Sequence, residues 1–126
     1  MSVDNMNQAI LKAGEEQNVS IPEFCVSGYI QDKVFGHKWF VACDQTLDAE
    51  AFRTSLDEAL KSINDDYRVE RRSALKEMQL EVLPVNVFYD WMKKLGKSGG
   101  QNKFPRVLKK EQLADWEAFI EQVKAS

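Results

Sequence analysis

Histidine and cysteine are scarce in this chain, and their scarcity excludes two kinds of site. Of the 126 residues, one is histidine (His37) and two are cysteine (Cys25 and Cys43). A nucleophile–histidine–acid triad would have to use His37, and neither cysteine stands in a strand–turn–helix elbow. A zinc site of histidine and cysteine lacks ligands for the same reason. We therefore expect no metal site and two reduced, buried cysteines.

Long apolar runs are absent as well. No window approaches the roughly 18 apolar residues that a membrane-spanning helix needs, and residues 2–8 are polar rather than signal-like. A length of 126 residues with 44% hydrophobic content fits a single compact domain. We expect one domain over residues 1–126, in the cytoplasm and with no membrane contact.

Positive charge is confined to one stretch. The chain has 17 basic and 20 acidic residues, a net charge of −3, yet residues 93–110 contain six lysines, one arginine and no acid. Nucleic-acid binding normally needs a domain-wide basic excess, so we expect no nucleic-acid partner. A local charge of +7 beside a remainder of −10 instead indicates a surface that faces a small or local anion.

Hydrophobic periodicity predicts an α+β fold, with helices packed on a small, mostly antiparallel sheet of three to four strands. The first helix is expected to start at Asp4, and a later one at Asn86 and to stop at Gly96. Strands are predicted over residues 20–31, 38–43 and 78–82, and helices over residues 48–63, around 68–74, and over 113–123. A further short strand is possible over residues 104–108.

The helix over residues 48–63 has the clearest pattern. Its apolar residues recur with a 3.6-residue period and form one buried stripe, namely Phe52, Leu56, Ala59, Leu60 and Ile63. Its charged residues are predicted to face water, namely Glu50, Arg53, Asp57, Glu58 and Lys61.

The loop after residue 96 is the candidate site. Glycine-rich backbone at residues 98–102 can approach a ligand closely and expose N–H groups, while Lys97, Lys103 and Arg106 add positive charge. Such a loop suits phosphate or carboxylate. The alternative is a linker between two helices whose lysines are only solvated. The three tryptophans fit buried stripes, and Tyr67 with Arg71 or Arg72 is expected to pin a helix end rather than to touch a ligand.

Residues 88–106, FYDWMKKLGKSGGQNKFPR, resemble the closing motif of the Gretchen Hagen family of acyl acid amido synthetases, in the form common in its bacterial members. Upstream, the strand at residues 37–41 resembles the family's His-x-Trp strand, and residues 64–71 resemble its Asn-x-x-Tyr-x-x-x-Arg helix end. Residues 83–88 are similar to its Pro-Gly-Thr-Phe turn. The match is best over residues 37–107. Plant members have a tyrosine where Asn102 stands here.

The resemblance implies that this chain is the small C-terminal lid domain of an adenylate-forming enzyme. Such a lid domain is not active alone. Such enzymes couple a carboxylic acid to ATP, with Mg²⁺, as an acyl-adenylate, and then pass the acyl group to an amino acid. The N-terminal adenylation domain, which would hold ATP and the acyl group, has no counterpart here. By resemblance, Lys103 is the catalytic lysine. Phosphate or nucleotide contacts would come from the surrounding loop, namely Lys97, Ser98, Gly99, Gly100, Gln101, Asn102 and Arg106.

Two other readings stay open from the residues alone. A free-standing module with the same fold could use its basic face as a nucleotide sensor or to bind an acidic protein. RNA binding by the sheet face is disfavoured, because the strands lack paired exposed aromatic residues with basic neighbours.

Overall fold

The computed structural model describes residues 1–97 and 103–126, and its elements follow the predicted order. The helices are α1 (Val3–Gln17), α2 (Ala49–Ile63), α3 (Asp65–Arg72), α4 (Val85–Lys94) and α5 (Lys110–Ala125), and the strands are β1 (Phe24–Gln31), β2 (Val34–Ala42) and β3 (Leu75–Leu83). The α+β class and the single small sheet are confirmed.

The sheet has the order β1-β2-β3 and is mixed rather than mostly antiparallel. β1 and β2 form an antiparallel hairpin through a two-residue turn in which Asp32 and Lys33 have φ of 52° and 67°, as a type I′ turn requires. β2 and β3 are parallel. The physical reason is the connection: a parallel pair needs a long crossover, and α2 with α3 supplies it.

β2 is the central strand and serves a separate core on each face. Trp39 and Val41 point into a core that β1 and β3 share with α1, α2 and α3. Phe40 and Ala42 point into a second core with α4 and α5. Successive side chains of a strand alternate between faces, so one apolar run fills both cores. The result is a sheet between two helical layers.

Two helix starts differ from the prediction by two residues. Ser2, rather than Asp4, caps α1, since its hydroxyl accepts the Asn5 amide at 3.1 Å. Pro84, rather than Asn86, precedes α4, and the free Val85 amide donates to the Asp44 carboxylate at 3.0 Å. The free N–H groups of α1 are thus capped locally by Ser2, whereas Pro84 offers no side-chain hydrogen bond and a carboxylate from far along the chain takes its place at α4.

The possible fourth strand, at residues 104–108, reduces to an isolated parallel bridge between Val107 and Val26. Within residues 1–97 and 103–126, no helix combines the length and the apolarity needed to cross a bilayer.

Candidate functional site

The entry to the candidate loop is fixed by the end of α4. The Gly96 amide donates to the Lys93 carbonyl and the Lys97 amide to the Met92 carbonyl, both at 2.9 Å. These are the two hydrogen bonds of a Schellman motif, and Gly96 has the left-handed φ of 72° that the motif needs. The predicted stop at Gly96 is confirmed. The position from which Lys97 projects is thus set by the helix.

The exit from the loop is fixed by a buried aromatic ring. Phe104 packs against Phe88, Trp91 and Trp116, with ring centroids 4.9, 5.3 and 5.2 Å away. Aromatic pairs in this range add to the stabilisation gained from burial alone. Lys103, the residue just before this ring, is exposed, so its main chain is anchored while its ammonium group reaches solvent.

Lys97 and Lys103 line one cavity, of about 360 Å³, between α4 and the start of α5. Its other lining residues are Trp91, Met92, Leu95, Pro105, Glu111, Gln112 and Asp115. The charges are therefore mixed. Asp115 accepts a hydrogen bond from the Trp91 indole at 2.9 Å, which ties one of the two carboxylates to the wall. Two lysines at the mouth of a partly apolar cavity can offer positive charge to an anionic group that enters from outside.

Ser98, Gly99, Gly100, Gln101 and Asn102, predicted as phosphate-binding backbone, lie outside the described residues. Of the predicted site residues that are described, Lys97 and Lys103 come together, and Arg106 does not join them.

Arg106 lies on the other side of the sheet edge. Its guanidinium donates to the Glu23 carboxylate at 3.2 Å and to the Phe24 carbonyl at 2.9 Å, and it stacks over the Phe24 ring at 4.3 Å. It lines a separate cavity of about 330 Å³ beside α1. Phe24 belongs to the core of the α1 and α2 layer, whereas Lys103 adjoins the core of the α4 and α5 layer.

Tyr67 and an arginine hold the helix end at residues 64–71, as predicted, and of the two candidate arginines Arg71 is the one that does so. The Tyr67 hydroxyl donates to Asp57 at 2.6 Å, and the Arg71 guanidinium donates to both Asp57 oxygens at 3.0 and 3.2 Å. Arg71 also donates to the Leu75 carbonyl at 2.9 Å. These bonds join α2, α3 and the start of β3.

The prediction that Asp57 faces water is wrong, since the residue is 7% exposed. Burial alone would raise the pKa of Asp57, but hydrogen bonds from Arg71 and Tyr67 and the charges of Arg71 and Lys61 outweigh burial and lower that pKa. Hydrogen bonding to Asp57 correspondingly raises the pKa of Arg71. The i, i+4 spacing of Tyr67 and Arg71, which puts both on one face of a short helix, is the signal that could have revealed a shared partner.

His37 and the cysteines offer little chemistry. Burial lowers the pKa of His37, so the neutral ring is favoured. The ring projects from β2 and lies beside the Tyr67 ring of α3. Both cysteines are free and buried, as expected, and burial raises the pKa of the Cys25 thiol. In the part of the chain that the structure covers, no three histidine, cysteine or acidic side chains form a metal-binding group.

Comparisons with known proteins agree with the resemblance. A sequence model described as the GH3 family C-terminal domain matches residues 4–112. Among solved structures, a GH3.15 acyl acid amido synthetase superposes with a TM-score of 0.70 at 17% identity, over 91% of this chain and 24% of its own. An AtGH3.15 acyl acid amido synthetase in complex with 2,4-DB gives 0.70 at 16% identity, over 91% and 23%. No curated protein matches. This chain spans about a quarter of those two structures, and at such identities the likeness shows the fold.

Proposed function

Since this chain belongs to the GH3 (Gretchen Hagen) family as its C-terminal domain, we propose that it is the mobile lid of an ATP-dependent acyl acid amido synthetase. In that reaction a carboxylate attacks the α-phosphate of ATP and releases pyrophosphate. The amine of an amino acid then attacks the acyl-adenylate, forms the amide and releases AMP. The partner is an N-terminal adenylation domain, which would hold the nucleotide, its Mg²⁺ and the acyl group.

The observation that carries this proposal is the pairing of Lys97 with Lys103 at one cavity. Both ends of the loop between them are held by rigid elements, the Schellman motif on one side and the Phe104 ring on the other. Lysine ammonium groups are suited to neutralise charge on phosphate and carboxylate oxygens. On the family resemblance we assign Lys103 as the catalytic lysine and Lys97 as a phosphate contact, and the anchored main chain at both positions supports this assignment.

The domain is proposed to be inactive alone. The signatures of an adenylation domain, which would hold ATP and the acyl group, have no counterpart in this sequence. We therefore propose that Lys103 acts when the lid presents it to a reaction centre that another domain builds. Closure of the lid would also exclude water from the acyl-adenylate. A cytoplasmic location is in keeping with two free cysteines.

The test is ATP–pyrophosphate exchange by the adenylation domain joined to this chain, with the wild-type lid, with Lys103→Ala, and with Lys93→Ala as the matched control. Lys93 is exposed and lies in the same basic stretch but does not line the cavity. We expect Lys103→Ala to lower the exchange rate by about 10²–10³-fold, the effect of removing one preorganised charge stabiliser, and Lys93→Ala to leave it within about twofold. Equal effects of both variants would contradict the assignment.

A second measurement separates the lid from a nucleotide sensor. The isolated chain is titrated with ATP, AMP and an acyl-adenylate analogue while its backbone amide resonances are followed. Weak shifts confined to residues 97–106 support the lid. Tight binding by the isolated chain, or amide synthesis by it without an adenylation domain, would contradict the proposal.

A further inference from the structure

The contacts of Arg106 account for its side chain without any ligand. One guanidinium nitrogen lies 3.2 Å from Glu23 and 2.9 Å from the Phe24 carbonyl, and the group stacks on the Phe24 ring at 4.3 Å. The side chains of Arg106 and Glu23 are 24% and 18% exposed. A partly buried charged hydrogen bond combined with a cation–π contact is stronger than an exposed ion pair.

The main chain at Arg106 is bonded to the same strand. The Val26 amide donates to the Arg106 carbonyl at 2.8 Å, and the Leu108 amide donates to the Val26 carbonyl at 2.9 Å. The Ser27 hydroxyl donates to the Leu108 carbonyl at 3.1 Å. Arg106 is thus held to the edge of β1 by both its side chain and its main chain.

Lys103 is only three residues before this anchor. Three extended residues span at most about 10 Å, and Phe104, between the two, is buried in the aromatic cluster. Phe104 and Arg106 therefore hold the same short segment at two points, and we expect a shift of Arg106 along β1 to pull on Lys103 because the segment has little slack. The guanidinium lines the cavity beside α1, whereas the lysine lines the cavity beside α4.

We propose that Arg106 is a positioning residue, which fixes Lys103 by pairing with Glu23 and Phe24, and that it does not itself contact the phosphate. The catalytic role of Lys103 rests on the proposed function. The position of Lys103, however, can be measured without an activity assay. Glu23 contributes to this positioning, because its carboxylate accepts a hydrogen bond from the same guanidinium nitrogen as the Phe24 carbonyl.

Glu23→Gln distinguishes this role from direct anion binding, because only the positioning role predicts weaker AMP binding. If Arg106 contacted the phosphate, removal of the competing carboxylate would leave AMP binding unchanged or strengthen it. If Arg106 positions Lys103, loss of its partner moves the lysine and weakens binding, by about fivefold for a partly buried ion pair. Glu50→Gln is the matched control, since Glu50 is an exposed acid on α2 that pairs with Arg53.

The readouts are the Lys103 backbone amide and side-chain Cε resonances of the isolated chain and its titration with AMP. Circular dichroism confirms that each variant is folded, and Arg106→Lys, which keeps the charge but loses the planar fork, is the second variant. We expect Glu23→Gln and Arg106→Lys to shift the Lys103 resonances and Glu50→Gln to leave them in place. Unmoved Lys103 resonances in both variants would overturn the positioning role, whatever the domain's activity. Shifted resonances would support it even if Lys103→Ala proved active.

Discussion

Asp57→Ala should be among the most destabilising single substitutions in this domain. Asp57 is buried, and it accepts hydrogen bonds from the Tyr67 hydroxyl and from two nitrogens of Arg71. Its removal leaves the guanidinium of Arg71 and the hydroxyl of Tyr67 without their main partner. The Arg71 side chain is only 16% exposed, so water can replace the lost bonds only in part.

The size of the loss in the free energy of unfolding follows from the groups that lose their hydrogen-bond partner. Breaking a buried ion pair by removing one partner costs about 3–5 kcal/mol. Tyr67→Phe removes a single hydrogen bond to a charged acceptor, for about 1.5–3 kcal/mol, while Asp57 keeps Arg71. We therefore expect Asp57→Ala to lower the free energy of unfolding about twice as much as Tyr67→Phe. Glu58→Ala, one residue along the same helix and exposed, should change it by less than about 0.5 kcal/mol.

Urea unfolding, monitored by tryptophan fluorescence, measures these differences in the free energy of unfolding. The same measurement repeated at several pH values provides a second test. The folded-state pKa of Asp57 is lowered, so the ionised carboxylate stabilises the fold fully at neutral pH. That stabilisation is lost as the pH falls from about 4 through the lowered pKa. The gap between wild type and Asp57→Asn should therefore narrow in acid. A gap that widens in acid, or a cost of Asp57→Ala below about 1 kcal/mol, would refute the reasoning.

Three further predictions concern the site and the core. Phe104→Ala should cost about 3–5 kcal/mol in urea unfolding, whereas Lys103→Ala should cost less than about 0.5 kcal/mol; similar costs would mean that the aromatic anchor is not tightly packed. Gly96→Ala should cost about 1 kcal/mol, because its φ is positive while its surroundings leave room for a methyl group; no loss would argue against the Schellman geometry. Cys25, with its raised thiol pKa, should resist iodoacetamide at pH 8 in the folded protein and react on unfolding; rapid labelling of the native domain would contradict its burial.

The helices and strands were predicted well because each depends mainly on residues that are close together in the sequence. The spacing of Phe52, Leu56 and Leu60 fits one face of a helix, and all three side chains are buried. Gly96 after an apolar helix has one common role, and it fulfils that role. These features depend on neighbours within a few residues, which the sequence shows directly.

What the sequence did not reveal depends on partners far along the chain. Asp57 looked like one more acid on a polar helix face, and only α3, brought back against α2, makes it a buried acceptor. The parallel pairing of β3 depends on where the crossover through α2 and α3 returns the chain. Arg106 lies in the basic stretch, yet its partners Glu23 and Phe24 stand about eighty residues earlier.

The candidate site stays a prediction. The sequence suggested Lys97 and Lys103, and the structure places both at one cavity. The sequence alone did not indicate that Glu111 and Asp115 would line the same cavity, because the start of α5 approaches α4 only in the folded chain. The catalytic role of Lys103 stays a prediction.

The central strand also has a consequence for movement. Trp39 and Phe40 are neighbours in sequence, yet they are packed into opposite cores, each fully buried. Close-packed interiors do not deform continuously, so the layer that carries the lysine cavity cannot slide past the α1 and α2 layer without dislodging a shared strand. If the domain is the mobile lid that we propose, we therefore expect both helical layers to rotate together as one rigid body when Lys103 is brought to a reaction centre.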